Sequence, residues 1–105
     1  MNIKITSRKF KARESLKDYI YSEISSLEKF YDQIMDAEVI LSYQNTKDSI
    51  KNAEIVLKVP GQTLQATVDS DDYKKSVSGA VEKIERQLKK LKTRRLARTN
   101  EKVKQ

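Results

Sequence analysis

The period of the hydrophobic pattern changes in a fixed order along this chain, and that order restricts the fold more than any residue count does. Ile3 and Ile5 alternate with Asn2, Lys4 and Thr6, the period of a short strand with one buried face. The pattern then shifts to steps of three and four at Leu16, Tyr19, Ile20, Ile24, Leu27, Phe30 and Tyr31, which predicts an amphipathic helix over roughly Arg13 to Tyr31. Its start is weakly signalled, because Ala12 stands where a capping Ser, Thr or Asp would serve better. Alternation returns three times: at Ala37, Val39, Leu41 and Tyr43; at Ala53, Ile55, Leu57 and Val59; and at Leu64, Ala66 and Val68. The polar loop Asn45 to Ser49 separates the first two of these strands. Pro60-Gly61 turns the last two into a hairpin, proline presetting φ and glycine accepting a positive φ after it. A final long stripe, Tyr73, Val77, Ala80, Val81, Ile84, Leu88 and Leu91, predicts a helix from about Asp71 to Arg95.

The order is βαβββα, an α+β fold with a four-stranded mixed sheet and both helices packed on one face. A right-handed crossover makes the first two strands parallel, and the remaining pairs are antiparallel. Residues 1–95 are expected to form one domain, and residues 96–105 a basic, flexible tail without a sustained pattern. Gly79, inside the last helix, points to close packing against the other helix. The uncovered face of the sheet would carry Lys4, Glu38, Ile40, Ser42, Glu54, Val56, Lys58, Gln65 and Thr67, with no aromatic residue, while Tyr43 falls on the buried register. Sheets that read single-stranded RNA stack bases on exposed aromatics, so this sheet is not expected to be a binding surface.

The available chemistry is narrow. The chain has no histidine and no cysteine, which removes the commonest general base, the commonest metal ligand and the thiolate nucleophile. The carboxylate cluster Asp69, Asp71 and Asp72 could hold Mg²⁺, but it falls where a strand gives way to a helix, where acids are expected to cap backbone N–H groups and oppose the helix dipole. No catalysis, cofactor, metal or small-molecule substrate is expected. The N-terminus lacks the apolar core of a signal peptide and no run approaches a membrane span, so a cytoplasmic protein is expected.

Charge is unevenly placed. Residues 83–105 carry ten basic and two acidic side chains, a net of +8, while residues 1–82 net −1. On a helical wheel Lys83, Arg86, Lys90 and Arg94 form a band on one flank of the apolar stripe, with Gln87 between that band and the core edge. Glu82 and Glu85 fall toward the other flank, where Glu85 can pair with Lys89 and Glu82 can reach Arg86. The band makes a cationic row roughly 16 Å long, suited to a phosphate backbone. The plainer alternative is a solvated face and a charged tail.

Several stretches resemble the bacterial ribosome hibernation factors, the short hibernation-promoting factor and the ribosome-associated inhibitor A. They are Asn2-Ile3-Lys4-Ile5-Thr6-Ser7, Leu27-Glu28-Lys29-Phe30, Ala53-Glu54-Ile55-Val56 running into Pro60-Gly61, and Asp72-Tyr73 leading to Lys83-Ile84-Glu85-Arg86-Gln87-Leu88-Lys89-Lys90-Leu91-Lys92. The resemblance implies a fold like that of double-stranded-RNA-binding domains, and binding to the 16S rRNA of the small ribosomal subunit in the mRNA and tRNA channel near the A and P sites. It implies a stationary-phase role in holding idle ribosomes inactive, and leaves room for a helper protein in ribosome dimerisation. The positions it carries over are Lys83, Arg86, Gln87, Lys90 and Arg94, with Lys29 on the first helix as a weaker candidate. Departures are Ser25-Ser26, where a relative often has a basic residue, a basic rather than acidic C-terminus, and no second domain for pairing ribosomes. Competing readings are a general double-stranded-RNA-binding domain and an amphipathic helix on an anionic membrane, the latter disfavoured because the apolar stripe is needed to cover the sheet.

Overall fold

The computed structural model describes residues 1–44 and 50–104, with side chains as far as Thr93. Its elements are β1 (Asn2–Ser7), α1 (Glu14–Ser25) with a 3-10 turn at Ser26–Lys29, β2 (Asp36–Gln44), β3 (Ile50–Val59), β4 (Gln62–Ser70) and α2 (Tyr73–Lys104). The order is the βαβββα expected, and the strands lie as β1-β2-β3-β4 in one sheet. β1 and β2 run parallel, whereas β2 with β3 and β3 with β4 run antiparallel. The expected loop 45–49 lies outside the described residues.

Register explains the core. Ile5 pairs with Val39, Val39 with Ile55, and Ile55 with Ala66, so one row of aliphatic side chains crosses all four strands on the same face. Ile20 and Ile24 of α1, with Val77, Ala80, Ile84 and Leu88 of α2, close over that face and are fully buried. Burial of each large aliphatic side chain contributes roughly 1.5–3 kcal/mol, which is what holds both helices to the sheet. Gly61 takes φ 85° and Val59 pairs with Gln62, so Pro60 and Gly61 form the two-residue turn read from the sequence.

Five local expectations are corrected. The first helix does not continue regularly to Tyr31: the Ser26 hydroxyl donates to the Glu23 carbonyl at 2.6 Å, and the chain tightens there into the 3-10 turn. The cap position of α1 is Arg13 rather than Ala12, with no side-chain cap bond. Gly79 faces a strand, not the other helix: a Cβ there would lie 3.2 Å from a Val68 methyl carbon of β4. At the start of α2 the aspartates diverge instead of capping. Asp69 accepts from Asn52 at 2.7 Å and Asp71 pairs with Lys75 at 3.3 Å, while the Asp72 N–H donates to the Ser70 hydroxyl at 3.2 Å. Finally, α2 does not end near Arg95 but runs to Lys104. The apolar stripe stops at Leu91 because the sheet beneath it stops, yet no proline or glycine follows to break the helix.

Among the described residues no group of three or more acidic side chains is arranged to hold a metal ion, and no helix is long and apolar enough to cross a membrane.

Candidate nucleic-acid interface

α2 lies along the free edge of the sheet, and two of its polar side chains fasten it there. The Lys83 ammonium donates to the Thr67 carbonyl at 3.3 Å, and the Gln87 amide donates to the Gln65 carbonyl at 2.9 Å. Residues two apart on an edge strand turn their carbonyls to the same side, and residues four apart on a helix share a face, so the two bonds form one ladder. The ladder occupies acceptors of β4 that would otherwise be open to another strand. The buried aliphatic stripe sets how α2 is rotated on the sheet, and the two bonds follow from that rotation.

With that rotation fixed, Lys83, Arg86 and Lys90 are exposed on the outer side of α2, while Gln87 is half-buried between them and Leu88. No carboxylate pairs with any of these three cations among the described residues. Glu85 forms its ion pair with Lys89 at 3.2 Å, as the spacing predicts, and Glu82 does not pair with Arg86. The Arg94 side chain lies outside the described residues. Thus three of the four members of the cationic row are brought together. Gln87 joins them as a bracket to β4, with its amide N–H committed to Gln65.

Lys29 is placed elsewhere. It ends the 3-10 turn and is exposed, beside Phe30, whose ring lies 5.1 Å from the Lys89 ammonium. Lys89 follows Arg86 by three residues and so neighbours one member of the row, whereas Lys29 itself stands on a separate element.

The uncovered sheet face carries the opposite balance. Its rows contain Asp36, Glu38, Glu54 and Asp69 against Lys4 and Lys58, with Lys4 3.9 Å from Glu38. It presents no aromatic ring, as the register predicted. The exposed flank of α2 and the uncovered sheet face therefore carry opposite balances of charge.

One cationic cluster went unremarked in the sequence reading. Arg8, Lys9, Lys11 and Arg13, between β1 and α1, are all exposed, whereas Ala12 is buried and Phe10 partly so. The Phe10 ring stacks on Tyr73 at 5.0 Å and meets Tyr43 edge-on at 6.0 Å. Tyr73 is held in turn by donating its hydroxyl to the Ser42 carbonyl at 3.1 Å, and burial pushes its phenol pKa above the ordinary value, so it remains a donor at neutral pH. Tyr43 is on the core register, as expected, yet 41% exposed. Lys9 adopts φ 65°, the one non-glycine residue in the left-handed region among those described, at a backbone cost of about 1 kcal/mol or more. A net charge summed over residues 1–82 hides this cluster; counting over windows of six residues would have found it.

The chain is similar to several known proteins. A family profile described as Sigma 54 modulation protein / S30EA ribosomal protein matches residues 3–96. A ribosome hibernation promotion factor of Deinococcus radiodurans is 29% identical over 99 residues, which are 92% of this chain and 52% of that protein. A ribosome hibernation promoting factor of Azotobacter vinelandii is 29% identical over 98 residues, 93% of this chain and 89% of that protein. The chain thus spans about half the length of the Deinococcus relative. Among solved structures, a ribosomal subunit interface protein from Coxiella burnetii superposes with a TM-score of 0.80 at 26% identity, covering 89% of this chain and 99% of that one.

Proposed function

This chain belongs to the Sigma 54 modulation protein / S30EA ribosomal protein family, and from that premise we propose that it is a non-enzymatic ribosome hibernation factor. In this reading it binds the 16S rRNA of the small subunit, in the channel used by mRNA and tRNA around the A and P sites, and keeps idle ribosomes from initiating. The observation that carries the reading is the row Lys83, Arg86 and Lys90, exposed, free of carboxylate partners among the described residues, and set on a helix fastened to the sheet edge by Lys83 and Gln87. Arg94 continues its spacing by one more turn. A rigid cationic row of this length matches successive phosphates without ordering new backbone on binding, so little of the attraction is lost to entropy.

With some six to eight phosphate contacts, affinity for 30S subunits is expected to fall by roughly 10³–10⁵ between 50 and 200 mM salt, on the duplex-DNA scale. Replacing Lys83, Arg86, Lys90 and Arg94 together by glutamate is expected to abolish cosedimentation with 30S subunits while leaving the far-ultraviolet circular dichroism unchanged. A folded quadruple variant that still pellets with ribosomes overturns the site. A plain RNA duplex bound as tightly as 30S subunits would instead make this chain a general double-stranded-RNA-binding module.

A further inference from the structure

The loop between β1 and α1 is built to hold its cations outward. Arg8 still donates its N–H to the Leu41 carbonyl at 2.9 Å, which extends the parallel pairing past the end of β1. Phe10 then turns in against Tyr73 and Tyr43, and Ala12 is buried, so the residues between and beside them, Lys9, Lys11 and Arg13, face solvent with Arg8. The left-handed Lys9 is where the chain makes that turn. None of the four cations is ion-paired among the described residues, and Glu14, which follows Arg13 in the chain, is paired with Lys17. Beside this cationic loop stands Tyr43, a large exposed ring held from one side by Phe10. Tyr73, which backs the cluster, opens α2, and Lys83 begins the cationic row ten residues on, about 15 Å along the helix. The two cationic surfaces are therefore distinct.

We propose that Tyr43 with Arg8, Lys9 and Lys11 forms a second RNA-contact site, one that takes an unpaired nucleotide segment: a base stacks on the Tyr43 ring and the flanking phosphates lie on the loop cations. The site deepens the function proposed above and rests on reading this chain as an RNA-binding protein. The chemistry selects single strands. Bases within a duplex are already stacked and present no free face, whereas an exposed aromatic ring bordered by cations offers an unpaired base a stacking partner and its backbone a counter-charge. The α2 row, which has no aromatic residue in it, suits backbone alone.

The test uses the full chain and fluorescence anisotropy with two labelled probes, a single-stranded oligoadenylate of about 12 nucleotides and a blunt RNA duplex. Tyr43→Ala is expected to weaken the oligonucleotide roughly tenfold, the loss of one stacked base, and to change duplex binding less than twofold. Tyr43→Phe is expected to retain full binding. Because Tyr43→Ala also removes a contact to Phe10, the double variant K9E/K11E, at two exposed positions, provides an independent arm and is expected to weaken the oligonucleotide at least tenfold. Oligonucleotide binding unchanged by Tyr43→Ala, or weakened equally by Tyr43→Phe, overturns the stacking role, and binding unchanged by K9E/K11E overturns the phosphate role. The outcome is separable from the site on α2: if 30S cosedimentation survives reversal of the α2 row while the Tyr43 contrast holds, the α2 assignment fails and this one stands.

Discussion

The two helices of this fold do the same job on their inner faces and opposite ones on their outer faces. Both cover one side of the sheet with fully buried aliphatic side chains, Ile20 and Ile24 from α1, and Val77, Ile84 and Leu88 from α2. Outward, α1 shows Glu14, Ser15, Asp18, Tyr21, Ser22 and Ser25, and over Glu14–Ser25 it nets −2. α2 nets +5 over residues 73–93 alone. Packing constrains only the side of a helix that faces the core, so the solvent side is free to be written for a partner. Here only one of the two helices carries a cationic outer face.

The largest expected effect tests the shared half of that comparison. Leu88→Ala in α2 and Ile24→Ala in α1 should each lose about 2–5 kcal/mol in denaturant unfolding, since each empties a fully buried site. A loss below 1 kcal/mol in either would show that its helix is not an equal partner in the core. Next comes a difference in how closely the helices approach the sheet. Gly79→Leu should destabilise by about 1–3 kcal/mol, because even a Cβ would press to 3.2 Å from Val68. An unchanged midpoint would mean that β4 yields easily there.

A smaller effect separates the outer faces. Lys90→Ala should reduce the slope of log affinity for 30S subunits against log salt by about one, and Lys29→Ala should leave the slope unchanged, because Lys29 stands on a different element from the row. Equal slopes for the two variants would bring the end of α1 into the interface.

Much of this arrangement was legible in the sequence because it follows from periodicity. The alternation Ala37, Val39, Leu41 and the stripe Val77, Ile84, Leu88 each state which face is buried, and with the Pro60-Gly61 turn they define four strands, two helices and the pairing of β3 with β4. The exposed positions of Lys83, Arg86 and Lys90 followed from the same wheel. What escaped depends on contacts between elements that no local pattern encodes. The hydroxyl of Ser26 closing on Glu23 ends α1 early, and Ser70, not an aspartate, closes the turn before α2 by accepting the Asp72 N–H. Gly79 was read as a close approach, which it is, but the neighbour is Val68 of the sheet edge. The bonds from Lys83 and Gln87 to β4 could be seen only once the helix had been laid along that strand. The end of α2 was misjudged because an apolar stripe marks where a helix packs, not where it stops.

The central claim is that the position of charge on α2, not its total, makes the interface. Two double variants on this helix test it most directly: R86E/K90E in the cationic row, and K74E/K92E on the opposite flank, which change the net charge equally. In cosedimentation with purified 30S subunits at a fixed salt concentration, R86E/K90E should lose at least a hundredfold in affinity, as expected for removing and reversing two phosphate contacts, while K74E/K92E stays within roughly threefold of the parent. Equal losses in the two variants would contradict the account and reduce α2 to a nonspecific cationic rod.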